Sequence, residues 1–260
     1  SYMAINASSD LAKERGSYAS YEGSLWSQGI LPLDSIEILE KQRGTDYIEV
    51  DKTTRLDWEA LRKKVISQGM RNSNTMAIAP TATIANITGL TQSIEPTYSN
   101  LFVKSNLSGE FTVINMHLVD ALKEIDMWDE VMVYDLKNLN GSLESIARVP
   151  EETKKLFATS FEVEPKWLIE AASRRQKWID QSQSLNLYVS EPNGKKLDVM
   201  YRMAWLRGLK TTYYLRSRSA TTTEKSTITN LELNAVKTEP KNYEQPEACS
   251  IDDPDCEACQ

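Results

Sequence analysis

Apolar positions recur at helical spacing over most of the chain and as short extended runs at a few places. Residues 1–15 read as the end of a helix, with Ala4, Ile5, Leu11 and Ala12 apolar and Gly16 as the stop. Residues 16–35 are rich in Ser, Gly and Tyr and punctuated by Gly29 and Pro32, which reads as loop. Over 57–68 the spacing predicts an amphipathic helix, with Leu61, Val65 and Ile66 on one face and Gly69 at its cap. Thr75-Met76-Ala77-Ile78-Ala79 is a short apolar run that Pro80 ends. A Thr-rich turn then leads into a short element at 84–87, closed by Gly89. Residues 110–190 read as mostly helical. One candidate is 128–136, ended by Asn140-Gly141. A stronger one is 164–180, with Pro165 in the first turn and Trp167, Leu168, Ala171 and Trp178 at core spacings.

The clearest unit follows. Residues 184–189 read as a strand. Residues 196–207 read as a helix, because Leu197, Met200, Tyr201, Ala204 and Trp205 keep the i, i+3, i+4, i+7, i+8 template. Gly208 caps it, and 209–216 read as a second strand. Strand, helix and strand within about 30 residues make a βαβ unit. That implies parallel strands and an α/β fold. After Arg218 the composition turns polar and acidic, with Pro240, Pro246 and Pro254. Such a stretch has little apolar surface to offset the entropy of ordering. The expected organisation is a folded body over 1–218 and a flexible tail over 219–260.

Composition narrows the function classes. The chain has 260 residues, 40% of them hydrophobic and 26% charged, which suffices for a sizeable core. A net charge of −7 argues against general nucleic-acid binding. No apolar run approaches the ~20 residues that span a membrane, and the first residues lack a secretory pattern. The chain opens without Met, directly into a helix-like stretch, so a piece of a longer protein is expected. All three cysteines, Cys249, Cys256 and Cys259, lie in the last twelve residues. A secreted disulfide scaffold would spread them through the fold, so a reducing cytoplasm is expected. His117 is the only histidine, which excludes most His-based catalysis and His-rich metal sites.

Three places carry candidate chemistry. The turn Pro80-Thr81-Ala82-Thr83-Ile84 links a strand to a helix. The first N–H groups of a helix are unpaired and its dipole favours an anion there, so a phosphate fits, with Thr81 and Thr83 adding hydroxyls. The plainer reading is a Thr-capped helix without a ligand. Tyr213-Tyr214 on a regular strand would point to opposite faces, one to the core and one to an interface. The redox reading has neighbouring phenols passing an electron and a proton. If their rings stack, the strand must twist or break there. Cys256-Glu257-Ala258-Cys259 is a CxxC pair suited to disulfide exchange. Half of a zinc site is the rival reading, with Cys249 as a further ligand and a fourth from another chain. From Ala220 to Cys256 a flexible chain spans about 30–36 Å, enough to shuttle between a buried site and the surface.

Together these stretches resemble the large subunit of class I, aerobic ribonucleotide reductases. The resemblance runs in family order from about Tyr2 to Gln260. It is carried by Arg71-Asn72-Ser73 with Pro80-Thr81-Ala82-Thr83-Ile84-Ala85, Ser93-Ile94-Glu95-Pro96 and Leu107-Ser108-Gly109-Glu110-Phe111. Ile179-Asp180-Gln181-Ser182-Gln183-Ser184-Leu185-Asn186, Gly208 through Arg216 and the Cys-containing tail complete it.

The resemblance implies the C-terminal portion of a ten-stranded α/β barrel. It implies that Pro80, Thr81, Ala82, Thr83 and Ile84 hold the substrate diphosphate, largely through backbone N–H groups. Ile84 lacks the hydroxyl that some relatives carry there. Tyr213 and Tyr214 would be the large-subunit end of a radical relay. Cys256 and Cys259 would re-reduce the active-site disulfide and then be reduced by thioredoxin or glutaredoxin. Cys249 receives no role. The family's radical cysteine, reducing cysteine pair and catalytic loop belong to a preceding part of the subunit, as do the allosteric nucleotide sites. The chain is thus expected to bind no cofactor itself. It would work with the N-terminal part of the large subunit, with a small subunit that holds the radical-generating metal, and with ribonucleoside diphosphates. It would be either a sequence fragment or one piece of a split subunit. Two other classes stand beside this: an inactive remnant that still binds small subunits or nucleotides, and a thiol-disulfide carrier. Tyr213, Tyr214, Cys256 and Cys259, kept together, favour the reductase reading.

Overall fold

The computed structural model describes residues 1–106 and 109–218. The tail at 219–260, with Cys249, Cys256 and Cys259, lies outside the described residues, as do Leu107 and Ser108.

Helix α1 (Tyr2–Arg15) stops at Gly16, whose φ of 78° suits only glycine comfortably. A 3-10 turn at Pro32–Asp34 leads into α2 (Ser35–Arg43). Helix α3 (Trp58–Gln68) starts where the Asp57 carboxylate accepts the Ala60 N–H at 2.9 Å. It ends at Gly69, where a Cβ would fall 1.9 Å from the Ser17 hydroxyl oxygen. Helices α1 and α3 pack on each other through Ile5, Trp58, Leu61 and Val65, joined by Trp26, Leu31 and Met70. Burying one such side chain stabilises by about 1.5–3 kcal/mol. Ile66, expected on this face, is 51% exposed. The buried stripe follows 58, 61 and 65, and residue 66 lies a further ~100° around the helix.

The middle of the chain departs from the helical expectation for 110–190. Strands β1 (Leu101–Asn106) and β2 (Gly109–Ile114) form an antiparallel hairpin, with Leu101 opposite Ile114 and Asn106 opposite Gly109. Leu101, Phe102, Val103, Phe111, Thr112 and Val113 are strand-forming types, and the partner strand lies upstream of the stretch that reads as helical. Helices α5 (Met116–Glu124) and α6 (Glu130–Asn138) follow. Leu118, Leu122, Met132, Leu136, Leu143 and Ile146 close a second core with Leu101. Asp129 caps α6 by accepting the Met132 N–H at 2.7 Å and also binds Arg148 at 2.6 Å.

After α7 (Glu151–Leu156), helix α8 (Pro165–Gln176) opens with proline at its first position, as expected. Its core face differs from the expected one. Trp167 is exposed and so is Ala171, while Leu168, Ile169 and Ala172 point inward. The βαβ unit is present as β3 (Leu187–Val189), α9 (Gly194–Leu206) and β4 (Leu215–Ser217), with Leu187 paired in parallel to Leu215. On α9 the buried pair is Met200 and Ala204. Tyr201 and Trp205 stay on the surface, where Trp205 meets Tyr47 and the Arg43 guanidinium. Strand β4 is shorter than the expected 209–216. A further parallel bridge joins Ile78 to Gln183. Three extended segments therefore run side by side: 76–79, then 181–189, then 213–217. No helix among the described residues is long and apolar enough to cross a membrane.

Candidate functional site

The parallel register sets the geometry of the site. Ser184 N–H donates to the Ile78 carbonyl at 2.8 Å on one flank of the central segment. On the other flank, Tyr213 N–H donates to the Leu185 carbonyl at 2.7 Å, and Leu187 N–H donates to the Tyr214 carbonyl at 2.9 Å. The turn that starts at Pro80 and the tyrosine pair thus lie on opposite sides of residues 183–187. At the standard inter-strand spacing, the backbones of segments 76–79 and 213–217 are about 10 Å apart.

Asp180 fixes the start of the first segment. Its carboxylate accepts the N–H groups of Thr75 and Met76, both at 2.7 Å. After Pro80 comes helix α4 (Ala82–Thr88), closed by Gly89 in the left-handed conformation. Thr81 sits at the cap position but makes no side-chain cap bond. Its hydroxyl oxygen accepts the Ser93 N–H at 2.9 Å instead. The plain Thr-cap reading therefore fails. The hydroxyl ties the turn to the segment that follows α4. Pro80 and Thr83 are exposed, and the Ile84 side chain is 62% exposed.

The Tyr213 and Tyr214 rings touch in a tilted arrangement, with centroids 4.2 Å apart and planes inclined by 48°. Their hydroxyl oxygens are 3.5 Å apart, and both side chains are about half exposed. Neither points into the core. Regular strand geometry begins only at Leu215, which is why adjacent residues can share a side. The Tyr213 hydroxyl is pushed above its ordinary value, first by its bond to the Tyr214 hydroxyl; Arg216 pulls the other way. The Arg216 guanidinium also stands 5.3 Å over the Tyr214 ring.

Between these places lies a polar cluster that the sequence reading did not single out. The half-buried Glu95 carboxylate accepts Asn186 N–H at 2.8 Å, Asn186 Nδ2 at 3.0 Å and the Tyr188 hydroxyl at 2.7 Å. Asn186 Oδ1 in turn accepts the Tyr214 N–H at 3.2 Å. The Tyr188 hydroxyl is shifted well above its ordinary value, chiefly by burial and then by its bond to Glu95. Phe161 packs edge-on against Tyr188 at 5.5 Å. A cleft of about 390 Å³ opens beside Glu95 and reaches Asn115 and His117. Glu95 and Asn186 stand in two of the family-like stretches, but neither spacing nor charge points to their pairing. Cys256 and Cys259 lie outside the described residues. Among the described residues, no three His, Cys, Asp or Glu side chains gather as a metal site.

Comparison with known proteins fits this arrangement. The family model described as "Ribonucleotide reductase, barrel domain" matches residues 1–215. The ribonucleoside-diphosphate reductase subunit alpha of Chlamydia muridarum is 53% identical over 274 residues, covering 100% of this chain and 26% of that protein. The same subunit of Chlamydia pneumoniae is 54% identical over 272 residues, with the same two coverages. The ribonucleoside-diphosphate reductase large subunit of Plasmodium falciparum is 41% identical over 238 residues, covering 91% of this chain and 28% of its own length. The chain thus spans about a quarter of the length of these relatives. Among solved structures, the Actinobacillus ureae class Id ribonucleotide reductase alpha subunit superimposes with a TM-score of 0.53 at 26% identity. That match covers 85% of this chain and 35% of the other. The barrel portion expected from the sequence is therefore the right architecture, and the chain belongs to the ribonucleotide reductase barrel-domain family.

Proposed function

We propose that this chain is the C-terminal part of a class I ribonucleoside-diphosphate reductase large subunit. In this reading it contributes to the reduction of ribonucleoside diphosphates to deoxyribonucleoside diphosphates. The observation that carries the reading is the contacting pair Tyr213–Tyr214, with hydroxyls 3.5 Å apart outside the regular strand. When one phenoxyl forms, the neighbouring phenol supplies one electron across the 4.2 Å ring contact. Its hydroxyl proton crosses the short oxygen-to-oxygen gap. One tyrosyl radical is consumed and one is made, so the pair relays a radical without net oxidation.

The turn Pro80-Thr81-Ala82-Thr83-Ile84 binds the substrate diphosphate. The first N–H groups of a helix lack intrahelical partners, and the helix dipole favours an anion at that end. Thr81 uses its oxygen as an acceptor for Ser93, which leaves its hydroxyl proton for a phosphate oxygen. Thr83 adds a second hydroxyl, and Ile84 adds none. In the tail, the Cys256 and Cys259 thiols exchange with the active-site disulfide. That disulfide becomes two thiols and the tail pair becomes a disulfide, which thioredoxin or glutaredoxin then reduces. The partners are the N-terminal part of the large subunit and a radical-generating small subunit, which holds the metal. The allosteric nucleotides bind elsewhere than this chain.

The test is reduction of a ribonucleoside diphosphate by a large subunit containing this chain, with its small subunit and thioredoxin. Activity is expected, and Cys256→Ser is expected to stop multiple turnovers while sparing a single one. Absence of reduction with components shown competent by themselves would refute the reading. Equal loss of single and multiple turnovers in Cys256→Ser would remove the tail from it.

A further inference from the structure

We propose that Glu95 is the positioning residue that holds Tyr214 in place and braces it to the substrate-binding turn. This rests on the relay reading above. The Tyr213–Tyr214 pair lies just before β4, beside the central segment. Its backbone is held by bonds to residues 185–187, one of which is the Tyr214 N–H to Asn186 Oδ1. That bond requires the Asn186 amide to present its oxygen. Glu95 enforces this by accepting both the Asn186 Nδ2 and the Asn186 backbone N–H. A carboxylate only accepts, so the amide can bind it only with its nitrogen turned toward it.

Glu95 is itself well anchored. It precedes Pro96, which confines it to extended backbone. Two residues earlier, Ser93 is held at φ 56°, a conformation that an L-residue adopts when its surroundings impose it. The Ser93 N–H is tied to the Thr81 hydroxyl. One line of bonds therefore runs from Thr81 to Ser93, and from Glu95 through Asn186 to Tyr214. The Tyr188 hydroxyl occupies the same Glu95 oxygen as the amide and keeps the carboxylate from swinging. Radical transfer between adjacent rings depends on their separation and alignment, so a loosened Asn186 would slow it without touching the diphosphate contacts.

The experiment uses the full large subunit with its small subunit. The readouts are kcat, the KM for the diphosphate, and the EPR-detected radical trapped when 3-aminotyrosine stands in place of Tyr214. Glu95→Ala is expected to lower both kcat and trapped radical by roughly tenfold or more, as small misplacements of reacting groups do. KM should stay within about twofold of the parent, as a loss confined to the chemical step requires. Glu95→Gln keeps one acceptor oxygen and should recover part of the loss. Unchanged kcat and radical yield in Glu95→Ala, with Tyr213→Phe and Tyr214→Phe both inactive, would overturn the role of Glu95 and leave the relay standing. Normal turnover in the two Tyr→Phe variants would overturn the relay and the role together. A rise in KM matching the fall in kcat would mark Glu95 as merely structural and overturn the proposal. If Glu95→Ala loses cooperative melting, Asn186→Asp decides. It keeps an oxygen for Tyr214 but sets a second carboxylate against Glu95. The same loss of radical yield supports the brace, and none overturns it.

Discussion

Around Trp58, Leu61 and Val65 the chain hides its apolar side chains, whereas around Tyr213 and Tyr214 it displays them. In the α1–α3 pack, Leu61 and Val65 are at most 1% exposed, and the order of the region comes from close apolar contact. The tyrosine pair is 44% and 53% exposed, and its order comes from directional bonds: backbone to backbone, then amide to carboxylate. Packing resists change in volume but not change in chemistry. A hydrogen-bonded brace leaves reactive side chains accessible and fixes their spacing. The two regions should therefore answer mutation differently.

The largest effect expected is on turnover. Tyr213→Phe and Tyr214→Phe each remove the hydroxyl that the proposed relay needs to pass its proton, and each should lower multiple-turnover reduction by roughly two orders of magnitude or more. Diphosphate binding by equilibrium titration should be unchanged. Loss of nucleotide binding instead would show that the pair is structural, like the α1–α3 pack, and would dissolve the contrast. Next comes Leu61→Ala, which leaves a cavity between α1 and α3 and should cost about 2–5 kcal/mol in denaturant unfolding. The same variant, measured below its melting temperature, should trap as much radical at position 214 as the parent. A parallel loss of radical yield would show that the two regions are coupled.

The smallest effect concerns a polar contact with no part in the brace. Arg148 and the Met132 N–H hold the Asp129 carboxyl down at about 2, below the ordinary 3.8. A lowered carboxyl value stabilises the fold fully above the unfolded value, and this is lost as pH falls from about 3.8 through about 2. Because Asp129 is 45% exposed, the contribution is small, at most about 1 kcal/mol. Asp129→Asn should therefore flatten acid unfolding in that window by this amount and leave stability at neutral pH lowered by no more. An unchanged acid limb would show that the Arg148 contact contributes nothing in solution.

Much of the body was legible in the residues. Gly16 and Gly69 end helices where expected, Pro165 opens one, and the apolar spacing over 196–207 gave α9 and the parallel strands around it. The misplaced helix faces share a cause. Ile66, Trp167, Ala171, Tyr201 and Trp205 are apolar residues at plausible helical spacings that the fold leaves outside. Composition does not say how wide the covered stripe is. The hairpin at β1 and β2 was missed because its stability lies in pairing between two short runs, not in either run's period. Of the candidate site residues, Pro80 to Ile84 and the tyrosine pair fall on the two flanks of one segment. Glu95, which bonds to the central segment between those flanks, stands in a family-like motif that by itself suggests no role.

The sequence by itself placed Gly16 and Gly69 at helix ends and Pro165 at a helix start, indicated one strand–helix–strand unit with parallel strands, and named the residues that carry candidate chemistry. Those properties depend on caps, on periodicity and on side-chain type, all acting within a few positions. Only the tertiary structure decided that Tyr213 and Tyr214 share a side, that Thr81 bonds Ser93 rather than capping its helix, and that Glu95 meets Asn186. That last contact joins residues 91 positions apart. A carboxylate meets one amide among many because the assembled fold lays the bend before Pro96 against residues 186–188, within 3.0 Å, and nothing a few positions from either residue encodes that meeting.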